Sequence, residues 1–220
     1  MRIELQAMTE RATDQLIAGL TQGLAPVRPL RPPIVRALLW LAAAALLVGA
    51  ALLRWANLDL FMARNAEPRM ALECAATLLT GITAVVAAFY LSLPDRSSLW
   101  RYAPLPPLAL WIATSSLGCL EYGLGWGPAG DRLGESLHCF RFIIAVSVPL
   151  ALLLYVVLRR ARPLQPLPVA LTAALGVAAL AAFVLQFFHP FDSTVIDLTL
   201  HGAAMLVVIG VAAASRRLLT

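Results

Sequence analysis

Six apolar stretches fill residues 37–214 of this chain, and the segments between them are too short to fold as separate soluble domains. Each stretch is about as long as the ~20 residues that a helix needs to cross a bilayer. The 220 residues are 60% hydrophobic, whereas a soluble domain is about half apolar. The sequence therefore predicts an all-α polytopic membrane bundle whose six helices cover about 37–54, 70–93, 105–122, 140–158, 167–188 and 195–214.

The distribution of arginine predicts the orientation of these spans. Every basic residue is an arginine, and ten arginines that flank the spans lie on one side against five on the other. An excess of basic residues marks cytoplasmic loops. Both termini, including a short tail at 215–220, are therefore expected in the cytoplasm. Because the arginines flank spans and form no single patch, direct nucleic-acid binding is not expected.

The first 25 residues form a polar arm that is predicted to be an amphipathic helix. Its apolar positions recur mostly at a spacing of four, which keeps one side of a helix apolar. A helix this short is marginal in water and needs a surface to fold against. Two arginines face three acidic residues before residue 26, whereas membrane-surface helices are usually rich in Lys and Arg. A groove on a partner protein fits better, and the alternative is a frayed tail without function. The candidate contact residues in the arm are Leu5, Met8, Leu16, Leu20 and Leu24.

Residues 26–36 are predicted to be a spacer between the arm and the bundle. Prolines at positions 26, 29 and 32 match the three-residue turn of a polyproline II helix. Such a segment is semi-rigid, and its arginines can stay near anionic headgroups. We include Arg28 and Arg31 among the candidate partner-binding residues.

Polar side chains collect at the ends of the spans on the side with fewer arginines. Ionisable groups in membrane segments are costly and usually mark function. Thiolate and imidazole groups together are ligands for copper or zinc, while two thiols in an oxidising periplasm can form a disulfide. A structural polar layer is the third interpretation, since neither a Cys-x-x-Cys nor a His-Glu-x-x-His motif is present. The candidate sensing or metal-binding residues are Cys119, Cys139, His189, Asp192 and His201.

The block from Pro26 to Pro33, followed by six spans with a His189-Pro190-Phe191-Asp192 turn and a later His201, resembles the negative-regulator-of-sigma-F (NrsF) family. That resemblance implies a bacterial inner-membrane anti-sigma factor. It also implies that the arm sequesters an extracytoplasmic-function sigma factor and that periplasmic cysteines tune its release.

One position departs from the pattern that the resemblance implies. The family favours a cysteine immediately before the proline of the turn, and this chain has His189 there. A disulfide that uses this position is therefore excluded. Cys119 and Cys139 remain, either as a pair across the loop between them or as metal ligands with His189.

Two other classes of protein compete with a regulator. A small transporter or channel needs discontinuous helices and a polar path at mid-bilayer, and no charge lies at the midplane of any predicted span. A membrane redox enzyme needs paired reactive cysteines, or facing histidines deep in the bundle for haem. Three cysteines and three histidines near one interface fit neither, so no enzymatic activity is predicted.

Overall fold

A computed structural model describes residues 2–22, 29–121, 129–188 and 195–219, which fold into helices joined by short turns. The chain divides into two compact units, residues 1–31 and residues 32–220. The first unit holds α1, and the second holds α2 to α8. The α-helices of the described residues are α1 Arg2–Thr21, α2 Pro33–Trp55, α3 Leu58–Asn65, α4 Pro68–Leu91, α5 Leu105–Glu121, α6 Ala129–Leu158, α7 Pro166–Leu185 and α8 Val195–Ala214.

Proline marks where several helices begin. The helices α2, α4 and α7 each have a proline in the first turn, where its missing N–H would have no helical partner in any case. The first bundle helix starts at Pro33, earlier than the predicted residue 37. Arg36 consequently belongs to α2 and not to the spacer.

Five described helices are long and apolar enough to cross a membrane, and they confirm the prediction of an all-helical, membrane-type chain. The remaining predicted span corresponds to α5, which has 17 residues and is not among the five. The candidate spans are Pro33–Trp55, Pro68–Leu91, Leu137–Ala161, Pro166–Leu185 and Leu198–Leu219.

The two most deeply packed helices of the bundle are α4 and α7. A Cβ atom added to Gly81 would lie 2.7 Å from the Cγ atom of Leu180. One added to Gly176 would lie 2.8 Å from Cγ2 and 3.0 Å from the backbone nitrogen of Val85. Small residues allow backbones to approach closely where lipid, and not water, surrounds the helices. The glycines therefore set the spacing of the central pair.

Side-chain contacts define two ends of the bundle. At the first, the Arg36 end, α2 begins and α4 and α6 end. The Arg36 side chain, near the start of α2, contacts Val157 near the end of α6 and Phe89 near the end of α4. At the second, the Phe187 end, the backbone N–H of Asn57 donates to the backbone carbonyl oxygen of Phe187 at 3.4 Å. The rings of Phe61 and Phe187 stack there at 4.0 Å. Consecutive long helices thus run in alternate directions.

The C-terminal segment packs against the bundle. Residues Ser215–Leu219 form a 3-10 helix, and Leu219 is buried in the main apolar core. The Tyr155 hydroxyl donates to the Leu218 carbonyl oxygen at 2.7 Å. The segment that was predicted as a tail is therefore tied to α6 at the Arg36 end.

Candidate functional site

The arm helix α1 presents apolar side chains to its surroundings. Leu16 is 62% exposed, Ile17 is 53% exposed and Leu20 is 66% exposed. These three residues lie on adjoining positions of one helical face, because side chains three and four apart are neighbours. We call them the arm face. Ile17 was absent from the predicted contact set, which from Met8 onward followed a spacing of four and so overlooked the position beside Leu16.

The other predicted contact residues are described less fully. Leu5 and Met8 lie in α1, but their side chains are outside the described part of the chain, as are all atoms of Leu24 and Arg28. Arg31 is exposed. Their roles in partner binding stay predictions.

Arg36 is a buried cation at the start of the bundle. It is only 7% exposed, and its Nη2 atom donates to the carbonyl oxygen of Val157 at 3.0 Å. The guanidinium also lies 5.1 Å from the centre of the Phe89 ring, within cation–π range. Val157 is in the last turn of α6, where carbonyl groups lack helical partners and the helix dipole favours a cation. One side chain therefore joins the root of α2 to the ends of α4 and α6.

A cavity of about 420 Å³ lies between α4, α5, α7 and α8. Its polar lining comes from α3, α4, α5, α8 and the residue that follows α7. Its apolar lining comes from α5, α7 and α8. We call it the α5–α8 cavity. The polar residues that line it are Arg64, Glu73, Ser115, Ser116, Gln186 and His201.

Hydrogen bonds and an ion pair hold the polar wall of this cavity in place. The Gln186 Nε2 atom donates to the Thr77 hydroxyl at 3.4 Å, and that hydroxyl donates to the Glu73 carbonyl at 2.7 Å. The Arg69 Nη1 atom lies 3.7 Å from the Glu73 carboxylate. Glu73 is only 7% exposed, so most of its side chain is shielded from solvent by the surrounding protein.

Only two of the predicted sensing or metal-binding residues, Cys139 and His201, have described side chains. Cys139 is buried with Ile143, Ala181, Leu185 and Ala204 in a small apolar cluster, whereas His201 lines the α5–α8 cavity. No group of three His, Cys, Asp or Glu residues that could hold a metal occurs within the described part of the chain. The side chain of Cys119, and His189 and Asp192 entirely, lie outside it. A copper or zinc site therefore stays a prediction.

Sequence reasoning missed most of the polar residues in the cavity wall, including Gln186 and Arg64. Gln186 follows a long apolar helix, α7, and a lone amide in such a segment is a usable signal because it needs a buried partner. Arg64 had been counted only for membrane orientation. Its place in the lining of the same cavity as Glu73 depends on the short helix α3, which the predicted spans did not include.

The architecture defines a class: a polytopic helical bundle of membrane-spanning type that follows a separate helix with an exposed apolar face. The family model described as "Negative regulator of sigma F" (NrsF) matches residues 20–220. The chain therefore belongs to the NrsF family, as its sequence resemblance had predicted, and the family description indicates negative regulation of a sigma factor. Neither a curated protein nor a solved structure matches the chain. The match includes Leu20 of the arm face and the whole bundle, while residues 1–19 precede it.

Proposed function

We propose that this protein is an inner-membrane anti-sigma factor that holds an extracytoplasmic-function sigma factor through its arm. The observation that carries the proposal is the arm face, three exposed apolar side chains on α1, in a family of negative regulators of a sigma factor. Such a face fits the recognition mode in which an amphipathic helix lies in a groove on its partner. The bundle then keeps the bound sigma factor at the membrane and away from RNA polymerase.

The proposed topology has six spans with both termini in the cytoplasm. The α5 helix would be the sixth span: its 17 residues rise about 25 Å, close to the ~30 Å hydrocarbon core of a bilayer. It begins at the Arg36 end, because Trp100, just before it, stacks at 4.1 Å on Tyr90, and Tyr90 lies in the last turn of α4. The excess of arginine favours the cytoplasm for the Arg36 end. Arginines in the turns there are Arg96, Arg101, Arg159, Arg160 and Arg162.

The arm face can supply a useful share of the binding free energy. Burying a large apolar side chain contributes about 1.5–3 kcal/mol to binding. Three such residues therefore contribute roughly 5–9 kcal/mol, from which the entropy cost of ordering the arm is subtracted. A micromolar complex corresponds to about 8 kcal/mol. Replacing two of the three with charged residues should therefore remove most of the affinity.

The test measures capture of the purified sigma factor by the full-length protein in lipid nanodiscs. The double variant Leu16→Asp/Leu20→Asp should lose capture by at least 100-fold, because two carboxylates would have to be buried in an apolar groove. The sigma factor to use is the one whose target promoters become more active when the gene for this protein is deleted.

A matched control carries the same added charge on the other side of α1. Ala18 and Gln22 are exposed and lie about half a turn away from the arm face, at 100° per residue. Ala18→Asp/Gln22→Asp should capture the sigma factor within threefold of the wild type. Equal loss in both double variants would attribute the effect to charge, and undiminished capture by the Leu16→Asp/Leu20→Asp protein would refute the arm as the docking element.

The proposed release signal is a metal ion or an oxidant that acts on Cys119, Cys139 and His189. Moving a complex from 99:1 to 1:99 takes about 5.5 kcal/mol of differential binding, and a structural zinc site contributes ~10–16 kcal/mol. The test combines Cys119→Ser, Cys139→Ser and His189→Ala. Unchanged induction by metals and oxidants in that triple variant would remove these residues from signalling.

A further inference from the structure

A second cavity, a groove of about 370 Å³, lies between α6, α7 and α8. We call it the α6–α8 groove. On α6 its lining extends from Ile144 to Leu158, which is about 21 Å at 1.5 Å per residue. One leaflet of a bilayer provides about 15 Å of hydrocarbon. Apart from Ser147, Tyr155 and Ser215, every residue that lines the groove is apolar, so its length and polarity suit a lipid acyl chain.

The α6–α8 groove is open along the side of the bundle. Leu152 on α6 and Val211 on α8 both line it, and they are 60% and 63% exposed. Ala174 and Val177 of α7 also line it but are almost fully buried, so α7 forms the floor. In a membrane the exposed edges face lipid, and an acyl chain can therefore enter by lateral movement within one leaflet.

One end of this groove lies at the Arg36 end of the bundle. Leu158, the last residue of α6, lines it there, together with Leu218 and Leu219 of the C-terminal 3-10 helix. The hydrogen bond from the Tyr155 hydroxyl to the Leu218 carbonyl oxygen, at 2.7 Å, joins the two segments. A lipid whose chain occupies the groove would therefore have its headgroup where α6 and α8 end.

The charged side chains beside this end of the groove all have the same sign. The sequence contains no Asp or Glu in residues 142–191 or 198–220. Asp95, in the turn after α4, pairs instead with Arg96 at 3.3 Å. The C-terminal ends of α6 and α8 together carry about one negative charge, which leaves most of the positive charge uncompensated. The arginines in the two flanking segments are Arg159, Arg160, Arg162, Arg216 and Arg217.

Two of these arginines are held beside the groove by neutral groups. The Arg159 guanidinium lies 5.9 Å from the ring centre of Tyr155, which lines the groove. The Nη1 atom of Arg216 donates to the Ala213 carbonyl oxygen at 2.7 Å. Neither contact includes an acidic side chain, so neither cancels a positive charge. The complementary headgroup is therefore an anion.

We propose that the α6–α8 groove binds an anionic phospholipid. One acyl chain lies in the groove, and the phosphate lies beside the arginines of the two flanking segments. Basic pockets between membrane helices bind anionic headgroups, and a guanidinium is well suited to phosphate. The apolar lining accepts the chain, while the arginines select the charge of the headgroup. This site is independent of sigma-factor binding, and its test needs no sigma factor.

Two pairs of arginines provide matched variants for the headgroup. Arg159→Gln/Arg160→Gln removes two positive charges beside the groove. Arg96→Gln/Arg101→Gln removes the same charge at the same end of the bundle, from the segment between α4 and α5, which does not line the groove. The match is close because Arg101, like Arg159, lies over a tyrosine ring, 4.9 Å from the centre of Tyr102.

Two alanines of α8 provide matched variants for the acyl chain. Ala212 lines the groove and is partly buried, whereas Ala214 is exposed and lies outside the lining. Leucine is nearly as good a helix former as alanine, so both variants should keep the helix. Ala212→Leu fills part of the groove, and Ala214→Leu leaves it unchanged.

The experiment titrates phosphatidylglycerol, or phosphatidylcholine with the same acyl chains, into the full-length protein in detergent micelles, and native mass spectrometry measures the bound lipid. Each arginine near an anionic headgroup contributes about fivefold in affinity. Arg159→Gln/Arg160→Gln should therefore weaken phosphatidylglycerol binding by at least about tenfold, and Arg96→Gln/Arg101→Gln by less than about threefold. Ala212→Leu should weaken the binding of both lipids, while Ala214→Leu should bind as the wild type does.

Four results would overturn the proposal. Equal loss in the two arginine double variants would attribute binding to the general positive charge of this end. Equal binding by Ala212→Leu and Ala214→Leu would place the acyl chain outside the groove. Phosphatidylcholine that binds the wild type as tightly as phosphatidylglycerol would refute an anion-selective site. Glycerol phosphate, which has no acyl chain, would identify a free phosphate site if it displaced the lipid at equal concentration.

Discussion

The arm helix α1 and the central pair α4–α7 both place glycine inside a helix, with opposite surroundings. A Cβ atom added to Gly19 of α1 meets nothing within 4 Å, whereas one added to Gly176 of α7 lies 3.1 Å from the Gly81 carbonyl oxygen. Glycine costs a helix about 1 kcal/mol relative to alanine. In α7 that cost is offset by the close packing of α7 against α4. In α1 no described contact of Gly19 offsets it.

The two regions also differ in what their apolar side chains contact. On α4 many of the inward positions are small and fully buried, such as Ala76, Ala84 and Ala88. On α1 the large side chains of the arm face are more than half exposed. The apolar side chains of α4 and α7 find their contacts within the chain. The exposed apolar side chains of α1 are instead those expected of a helix that a partner stabilises. The variants below test this contrast, from the largest expected effect to the smallest.

Gly176→Val should have the largest effect on the bundle. The added Cβ atom would lie 3.0 Å from the backbone nitrogen of Val85, and a backbone cannot rotate aside as a side chain does. Overpacking of this kind costs about 1–3 kcal/mol, and we expect a value near the upper end. Equilibrium unfolding in mixed micelles, followed by circular dichroism, measures the loss.

The control for this variant is Gly210→Val on α8, where an added Cβ atom meets nothing within 4 Å. Its free energy of unfolding should stay within about 0.5 kcal/mol of the wild type, as for most open surface sites. Equal destabilisation by the two variants would show that helix propensity, and not the α4–α7 contact, decides the outcome.

Arg36→Met should have an intermediate and local effect. The variant removes the hydrogen bond to the Val157 carbonyl, and hydrogen bonds to charged groups contribute about 1.5–3 kcal/mol. It also removes a buried charge, which offsets part of that loss. We expect a net loss of about 1 kcal/mol or less, together with faster amide hydrogen exchange at residues 34–40.

The hydrogen-exchange readout separates a local anchor from a general core contact. Exchange at residues 80–88 of α4 should stay unchanged in the Arg36→Met protein, because those amides are held by the α4–α7 contact. Faster exchange across both segments would mean that Arg36 stabilises the whole bundle and is no specific anchor of the α2 root.

Gly19→Ala should have the smallest effect, and of the opposite sign. With no neighbour within 4 Å of the added methyl group, the variant should stabilise α1 by about 1 kcal/mol. A helix that forms before it binds loses less entropy on binding, so sigma-factor affinity should rise up to about fivefold. Surface plasmon resonance with the full-length protein in nanodiscs measures it, and weaker binding would mean that α1 does not bind as a helix.

Most helix positions were predictable because their signals are local. Apolar runs of membrane-spanning length and prolines in first turns need no knowledge of neighbours, and helix α8 covers Val195–Ala214, the predicted 195–214. Helix α6 begins at Ala129 instead of residue 140, since its first turns carry charge and do not look apolar. The short helix α3 escaped notice because its eight residues are too few for a periodic pattern.

The candidate sites were predictable only in part. His201 was predicted by residue type and does line a cavity. The other candidate with a described side chain, Cys139, is buried in a small cluster with apolar side chains, and the metal site stays a prediction. Residue type indicates which chemistry a side chain can perform, but it does not tell which helices meet.

By itself, the sequence determined the helical, membrane-type class, the family and the distinction between a polar arm and an apolar bundle. Those properties depend on hydropathy and short-range backbone preferences, which each segment carries alone. Only the tertiary structure decided that Gly176 meets Val85, that Arg36 joins three helices, and that Arg64, Glu73 and His201 line one cavity. Such contacts depend on the rotation of each helix about its axis, and in lipid that rotation is chosen by packing and hydrogen bonding between helices, because all faces are similarly apolar.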